Sequence, residues 1–150
     1  MADEAFARAL AALRRKERSI AELDAWLAER GVSEGERAEV VVRLIEVGEL
    51  DDRRFALRFA QDKRELAGWG AERIREALAG RGIDEAEISE ALADDEEPAQ
   101  VERAEALLRR RAARLDDDRE RGRALSYLTR RGYAYEVAHA AIRRVDRDAA

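Results

Sequence analysis

Three glycines set the frame of this chain. Gly31, Gly82 and Gly132 lie 51 and 50 residues apart, and the same apolar register surrounds each. Four residues before stand Leu27, Leu78 and Leu128; eight before stand Leu23, Ile74 and Ala124; one after stand Val32, Ile83 and Tyr133. Apolar residues at i and i+4 make one buried stripe on a helix, and a glycine just past the stripe suits a left-handed C-cap. The register therefore predicts a repeated three-helix unit whose second helix ends at the glycine. Read this way the chain is all-α, a tandem array of three three-helix repeats spanning 1–49, 50–97 and 98–150. An array of this kind is expected to be elongated and curved, with each unit contacting mainly its neighbours.

Helix start signals fall where the frame requires them. Ser19-x-x-Glu22 and Ser33-x-x-Glu36 are capping boxes, and Asp84-x-x-Glu87 repeats the pattern. Asp51 is a good N-cap, with Asp52 beside it at the positive end of the helix dipole. The first helix is predicted over Glu4 to Lys16, with Phe6, Ala9, Leu10 and Leu13 inward. The third carries Val40, Val41, Leu44 and Ile45. In the middle repeat Phe55, Phe59 and Leu66 share one face, and Gly68 and Gly70 flank Trp69 in what reads as a sharp turn. Asp94-Asp95-Glu96-Glu97-Pro98 is a run of repelling charges that reads as a solvated connection. A long helix follows, with Val101, Ala104, Leu108 and Leu115 inward, until Asp116-Asp117-Asp118 breaks or recaps it. The last helix buries Val137, Ala141, Ile142 and Val145.

Composition agrees with helices that have solvated outer faces: 42% of residues are charged, 5% are aromatic and there is one proline. With no cysteine and one histidine, His139, nucleophilic triads and His- or thiolate-based metal sites have almost nothing to be built from. Gly68-x-Gly70 follows a helix and lacks the Gly-Lys-Ser/Thr ending of a phosphate loop. No catalytic residue, cofactor or metal is expected. No apolar run has the length of a membrane span, and the start of the chain lacks the basic and apolar segments of a signal peptide, so a soluble, cytoplasmic protein is expected. The net charge is −5, but it is unevenly placed. The middle repeat carries 8 basic and 14 acidic residues, and the last carries 13 and 9. Contact with phosphate or an acidic surface is expected through the last third.

The run Leu50-Asp51-Asp52-x-Arg54-Phe55-Ala56, followed by Lys63, Gly68 and Gly70, Arg73-Ile74 and Gly82-Ile83, resembles the RecX family of small bacterial proteins that regulate the RecA recombinase. Ala9-Leu10, Arg18-Ser19, Glu22-Leu23 and Gly31 extend the resemblance toward the start. Tyr127-Leu128, Arg130-Arg131-Gly132-Tyr133 and Tyr135 extend it toward the end. It implies a monomeric regulator, without enzymatic activity, that lies in the groove of a RecA-type filament on single-stranded DNA. It further implies suppression of filament growth, ATP hydrolysis and strand exchange, in DNA recombination, DNA repair and the SOS response. Whether the chain touches the single-stranded DNA itself stays open.

The residues offered for such contacts are arginines. At ~100° per residue, Arg103, Arg110 and Arg114 fall within about 40° of one another on a helix after Pro98, forming a cationic ridge away from the apolar stripe. Arg130, Arg131, Arg143 and Arg144 are its expected extensions. Trp69 reads as packing at its turn, while of Tyr133 and Tyr135 one packs and the other reaches out. The competing reading is a DNA-binding regulator of helix-turn-helix type, because Ile20 to Asp52 reads like the helical half of a winged-helix domain. Against it, the segment after Asp51 continues with helical spacing where a β-wing needs alternation.

Overall fold

The structure, a computed structural model, describes residues 2–149. Among these there are nine α-helices and no strand: α1 Ala2–Arg15, α2 Ile20–Glu29, α3 Glu34–Glu46, α4 Asp52–Ala67, α5 Ala71–Gly80, α6 Glu85–Leu92, α7 Glu97–Arg110, α8 Asp118–Arg130 and α9 Tyr135–Ala149. A winged-helix reading fails here, since α4 occupies the place where a wing would begin. No helix is long and apolar enough to cross a membrane. The chain gathers into two compact units, the first made of residues up to Arg58 with Leu78–Ala91, the second of Phe59–Ala77 with residues from Leu92 onward.

The three glycines form one motif in three copies. Their φ angles are +79°, +79° and +98°, a region that side chains with a Cβ avoid. The amide after each glycine reaches back to the leucine carbonyl: Val32 to Leu27 at 3.2 Å, Ile83 to Leu78 at 3.1 Å and Tyr133 to Leu128 at 3.1 Å. Each glycine amide bonds one carbonyl further on, to Ala28, Ala79 and Thr129. This is the Schellman arrangement, which satisfies helix-end carbonyls and brings the residue after the glycine onto the leucine.

The end of α7 uses the same bonds without glycine. Ala113 donates to the Leu108 carbonyl and Ala112 to that of Arg109, with Ala112 at φ +53°. The predicted long helix therefore stops at Arg110, and Leu115 is buried from the following loop. Nothing in an alanine marks a helix end, and the apolar spacing runs on through it. Because its Cβ is strained in this conformation, Ala112→Gly is expected to raise stability by up to about 1 kcal/mol in chemical denaturation.

In the first unit α1, α2 and α3 bury Ala5, Ala9, Leu23, Leu27, Val40 and Leu44, with Leu50 closing the core. On α1 the most buried face is Ala5, Ala9 and Ala12, and the predicted Phe6, Leu10 and Leu13 lie at its half-buried margin. Ile45 is 45% exposed rather than inward. The capping box at Ser19 forms in full, and its hydroxyl also donates to the Arg81 carbonyl at 2.6 Å. The Arg81 guanidinium grips Glu22 with two bonds of 3.0 and 2.9 Å. Burial alone would push the Glu22 carboxyl up, but the bonds from Arg81 and from the Ser19 amide outweigh it and hold the carboxyl below the ordinary glutamate value. Beside this cluster Gly82 lies so near α2 that a Cβ there would stand 2.5 Å from the Ala21 Cβ.

The second unit repeats that docking. The Gly70 amide donates to the Arg131 carbonyl at 2.8 Å and the Glu72 amide to that of Gly132 at 2.9 Å. Gly70 does not have positive φ; a Cβ there would lie 2.5 Å from the Gly132 carbonyl, so glycine is needed for close approach and not for the sharp turn expected. Gly68, at φ +68°, supplies the turn. Tyr133 is buried and donates its hydroxyl to the Gly68 carbonyl at 2.9 Å, whereas Tyr135 is 59% exposed, the division the sequence predicts. Leu66 is 85% exposed, although its spacing places it on the face of Phe55, which is buried. The acidic connection is not wholly solvated either. Asp95 is 7% exposed and accepts two bonds from Arg103, at 2.9 and 3.0 Å, with Arg64 at 3.5 Å.

Candidate partner-binding surface

The predicted ridge does not form. Arg103 points inward to Asp95, its guanidinium 5.6 Å from the Tyr133 ring centroid. Burial disfavours its charge, but the Asp95 bonds more than restore it. Arg114 has left the helix with the loop after Arg110 and is exposed, 3.9 Å from Asp116. Arg110 is exposed at the last turn of α7 and does not line the groove described below. Of the expected extensions, Arg131 donates to the Ala67 carbonyl at 2.9 Å and so ties the end of α4 to the third glycine corner. Arg144 pairs with Glu105 at 3.4 Å. Arg143 is exposed beside Tyr135 and His139, whose rings lie 4.2 Å apart.

In place of the ridge the second unit carries an arginine-lined groove. Asp117 starts it by capping α8, accepting from the Glu120 amide at 2.8 Å. From that start, at ~100° per residue, Arg119, Arg123, Ser126 and Arg130 fall within about 60° on one outer face of α8. The opposite face packs Ala124 and Leu128 into the core with α7 and α9. The loop from α7 lays Arg111 over the Tyr127 ring at 4.1 Å and brings Arg114 alongside. Two adjoining depressions result, of about 270 and 370 Å³, sharing Arg111 and Arg123. The first also takes in Arg114, and the second Arg119 and Arg130 across the small residues Gly122 and Ser126.

Five guanidinium groups thus face solvent along one groove. Glu120 is the acidic residue among those lining the two depressions, and its carboxylate is engaged by the Asp116 amide at 3.2 Å. Among the described residues Arg119, Arg123 and Arg130 pair with no carboxylate. Planar donors on small-residue ground suit phosphate or carboxylate oxygens, and long-range attraction should be salt-dependent. The structure therefore gathers Arg114 and Arg130 with three residues the sequence reading missed: Arg111, Arg119 and Arg123. Angular spacing on α8 was the available signal for the last two.

A nearby feature is held for structure. Trp69 is half-buried between Lys63, 4.7 Å from the ring centroid, and Arg73 at 4.1 Å, with Phe59 edge-on at 6.2 Å. Such cation–π contacts suit packing at the turn.

Nine helices among the described residues, three glycine corners and a cationic groove define an all-helical repeat protein. The family model described as RecX, second three-helix domain, matches residues 51–92. A regulatory protein RecX of Mycobacterium sp. (strain JLS) is 36% identical over 143 residues, covering 91% of this chain and 78% of the relative. Its counterpart in Mycolicibacterium smegmatis is 37% identical over 129 residues, covering 81% and 69%. The crystal structure of RecX from Lactobacillus salivarius shares the fold with a TM-score of 0.87 at 20% identity, over 97% of this chain and 96% of the other. The chain belongs to the RecX family.

Proposed function

We propose that this chain binds the filament of a RecA-type recombinase and inhibits its growth, ATP hydrolysis and strand exchange, thereby modulating recombination, DNA repair and the SOS response. It acts as a cytoplasmic monomer made of three three-helix repeats, 1–49, 50–97 and 98–150. Family membership supports the regulatory part of this reading. The observation that carries the contact is the groove of Arg111, Arg114, Arg119, Arg123 and Arg130, which offers exposed guanidinium groups, three of them without a carboxylate partner among the described residues, to acidic protein surface or to the phosphates of the bound single strand. Repetition of the glycine corner three helices on, Gly82 after α5 on Ala21 of α2 and Gly132 after α8 on Arg73 of α5, supports the three-repeat division. Regulation follows from occupancy and electrostatic pairing, with no reaction at this chain.

Reversing Arg119 and Arg123 to Glu tests the groove. Both are exposed, so helix content and melting should be unchanged. The concentration needed to inhibit DNA-dependent ATP hydrolysis by the recombinase should rise by about tenfold or more, and its dependence on salt should flatten. Equal inhibition by variant and wild type at low and high salt would remove the groove from the contact surface.

A further inference from the structure

The first unit has a cationic depression of different chemistry. Between α1 and α2 lies a groove of about 700 Å³. Its floor is apolar, formed by Ala7, Leu10, Ala11 and Trp26; its rim is Arg8, Arg14, Arg15 and Arg30, and no carboxylate lines it. Arg8, Arg14 and Arg15 are exposed and pair with no carboxylate among the described residues. Ala7 and Ala11, one turn apart and both exposed, leave the α1 backbone open to close approach. This concentration of arginine sits in residues 1–49, where acidic residues outnumber basic ones, so the regional charge conceals it.

We propose that this groove docks an acidic segment of a partner protein, which inserts one large apolar side chain onto Leu10 and Ala11, beside the arginine-covered Trp26, while its carboxylates meet the arginine rim. Charge complementarity fixes the sign of the partner. The floor fixes its class. A single-stranded nucleic acid would want a free aromatic face for its bases, but Arg30 already covers Trp26, 3.7 Å from the ring centroid and bonded to the Trp26 carbonyl, with Arg18 at 5.7 Å. What remains open is aliphatic, suited to a leucine-sized side chain. Guanidinium groups around an apolar floor are also the arrangement in which carboxylate pairs are best shielded from solvent.

The inference does not depend on the filament reading, and the experiment separates them. Trp69→Phe leaves Trp26 as the one indole, and its fluorescence can follow titration with a short synthetic peptide of Glu and Asp carrying a single Leu. Saturable binding is expected, weakened at least about tenfold when Leu is replaced by Ser. Arg14→Glu with Arg15→Glu, and separately Ala11→Glu, should weaken it as much while leaving helix content unchanged, and oligothymidine should not displace the peptide. Reversal of Arg119 and Arg123 should leave it intact. Absence of binding, equal binding of the Leu-free peptide, displacement by oligothymidine, or sensitivity to reversal of Arg119 and Arg123 would each overturn the proposal.

Discussion

Asp95→Asn is expected to destabilise the protein by about 3 kcal/mol, because removing one member of a buried ion pair leaves the other charge without compensation. The Asp95 side chain is 3% exposed and that of Arg103 19%, and the two share a bidentate contact with Arg64 close by. Asparagine keeps the shape and one acceptor oxygen but not the charge. Arg103 would then hold a guanidinium among Tyr133, Trp69 and the start of α7 with nothing to offset it. Chemical denaturation of the two proteins measures the loss. A change below about 1 kcal/mol, the size expected of a solvated surface pair, would show that Asp95 is not the hub of the second unit.

Gly132→Val should cost more than about 3 kcal/mol, against about 1 kcal/mol for Gly31→Val. Both glycines have positive φ, so both substitutions strain the backbone. Around Gly31 there is nothing within 4 Å, whereas a Cβ at Gly132 would stand 2.6 Å from the Arg73 amide nitrogen and 2.9 Å from its Cα. Those are backbone atoms and cannot rotate aside. The bonds from Gly70 to Arg131 and from Glu72 to Gly132 would open with them. Thermal melts of the pair check the contrast, and equal losses would mean that the glycine serves only its own helix end.

That contrast marks what the sequence could and could not say. Helix ends at Gly31, Gly82 and Gly132 were legible because a C-cap is local: the stripe, the glycine and the apolar residue after it lie within ten positions. The capping box at Ser19 and the side-chain caps of Ser33 and Asp51 were legible for the same reason. Asp95 was not, since the arginines that bury it come from α4 and α7, and a charge run looks the same in sequence whether solvated or paired. Gly70 was placed correctly and explained wrongly, because the backbone it approaches lies some sixty residues away. The angle of Arg103 on α7 says which face it occupies and not what stands opposite. Arg114 went astray with the helix end that Ala112 supplies without glycine. Arg119 and Arg123 needed only the same angular argument applied to α8.

The central claim is that this RecX family member restrains a RecA-type filament. Its most direct test is the steady-state rate of single-stranded-DNA-dependent ATP hydrolysis by the recombinase of the same host, followed as this chain is added. The account predicts a saturable fall in that rate, relieved by raising salt and by reversing Arg119 and Arg123. An unchanged rate at every concentration of the chain, with filament present throughout, would contradict it.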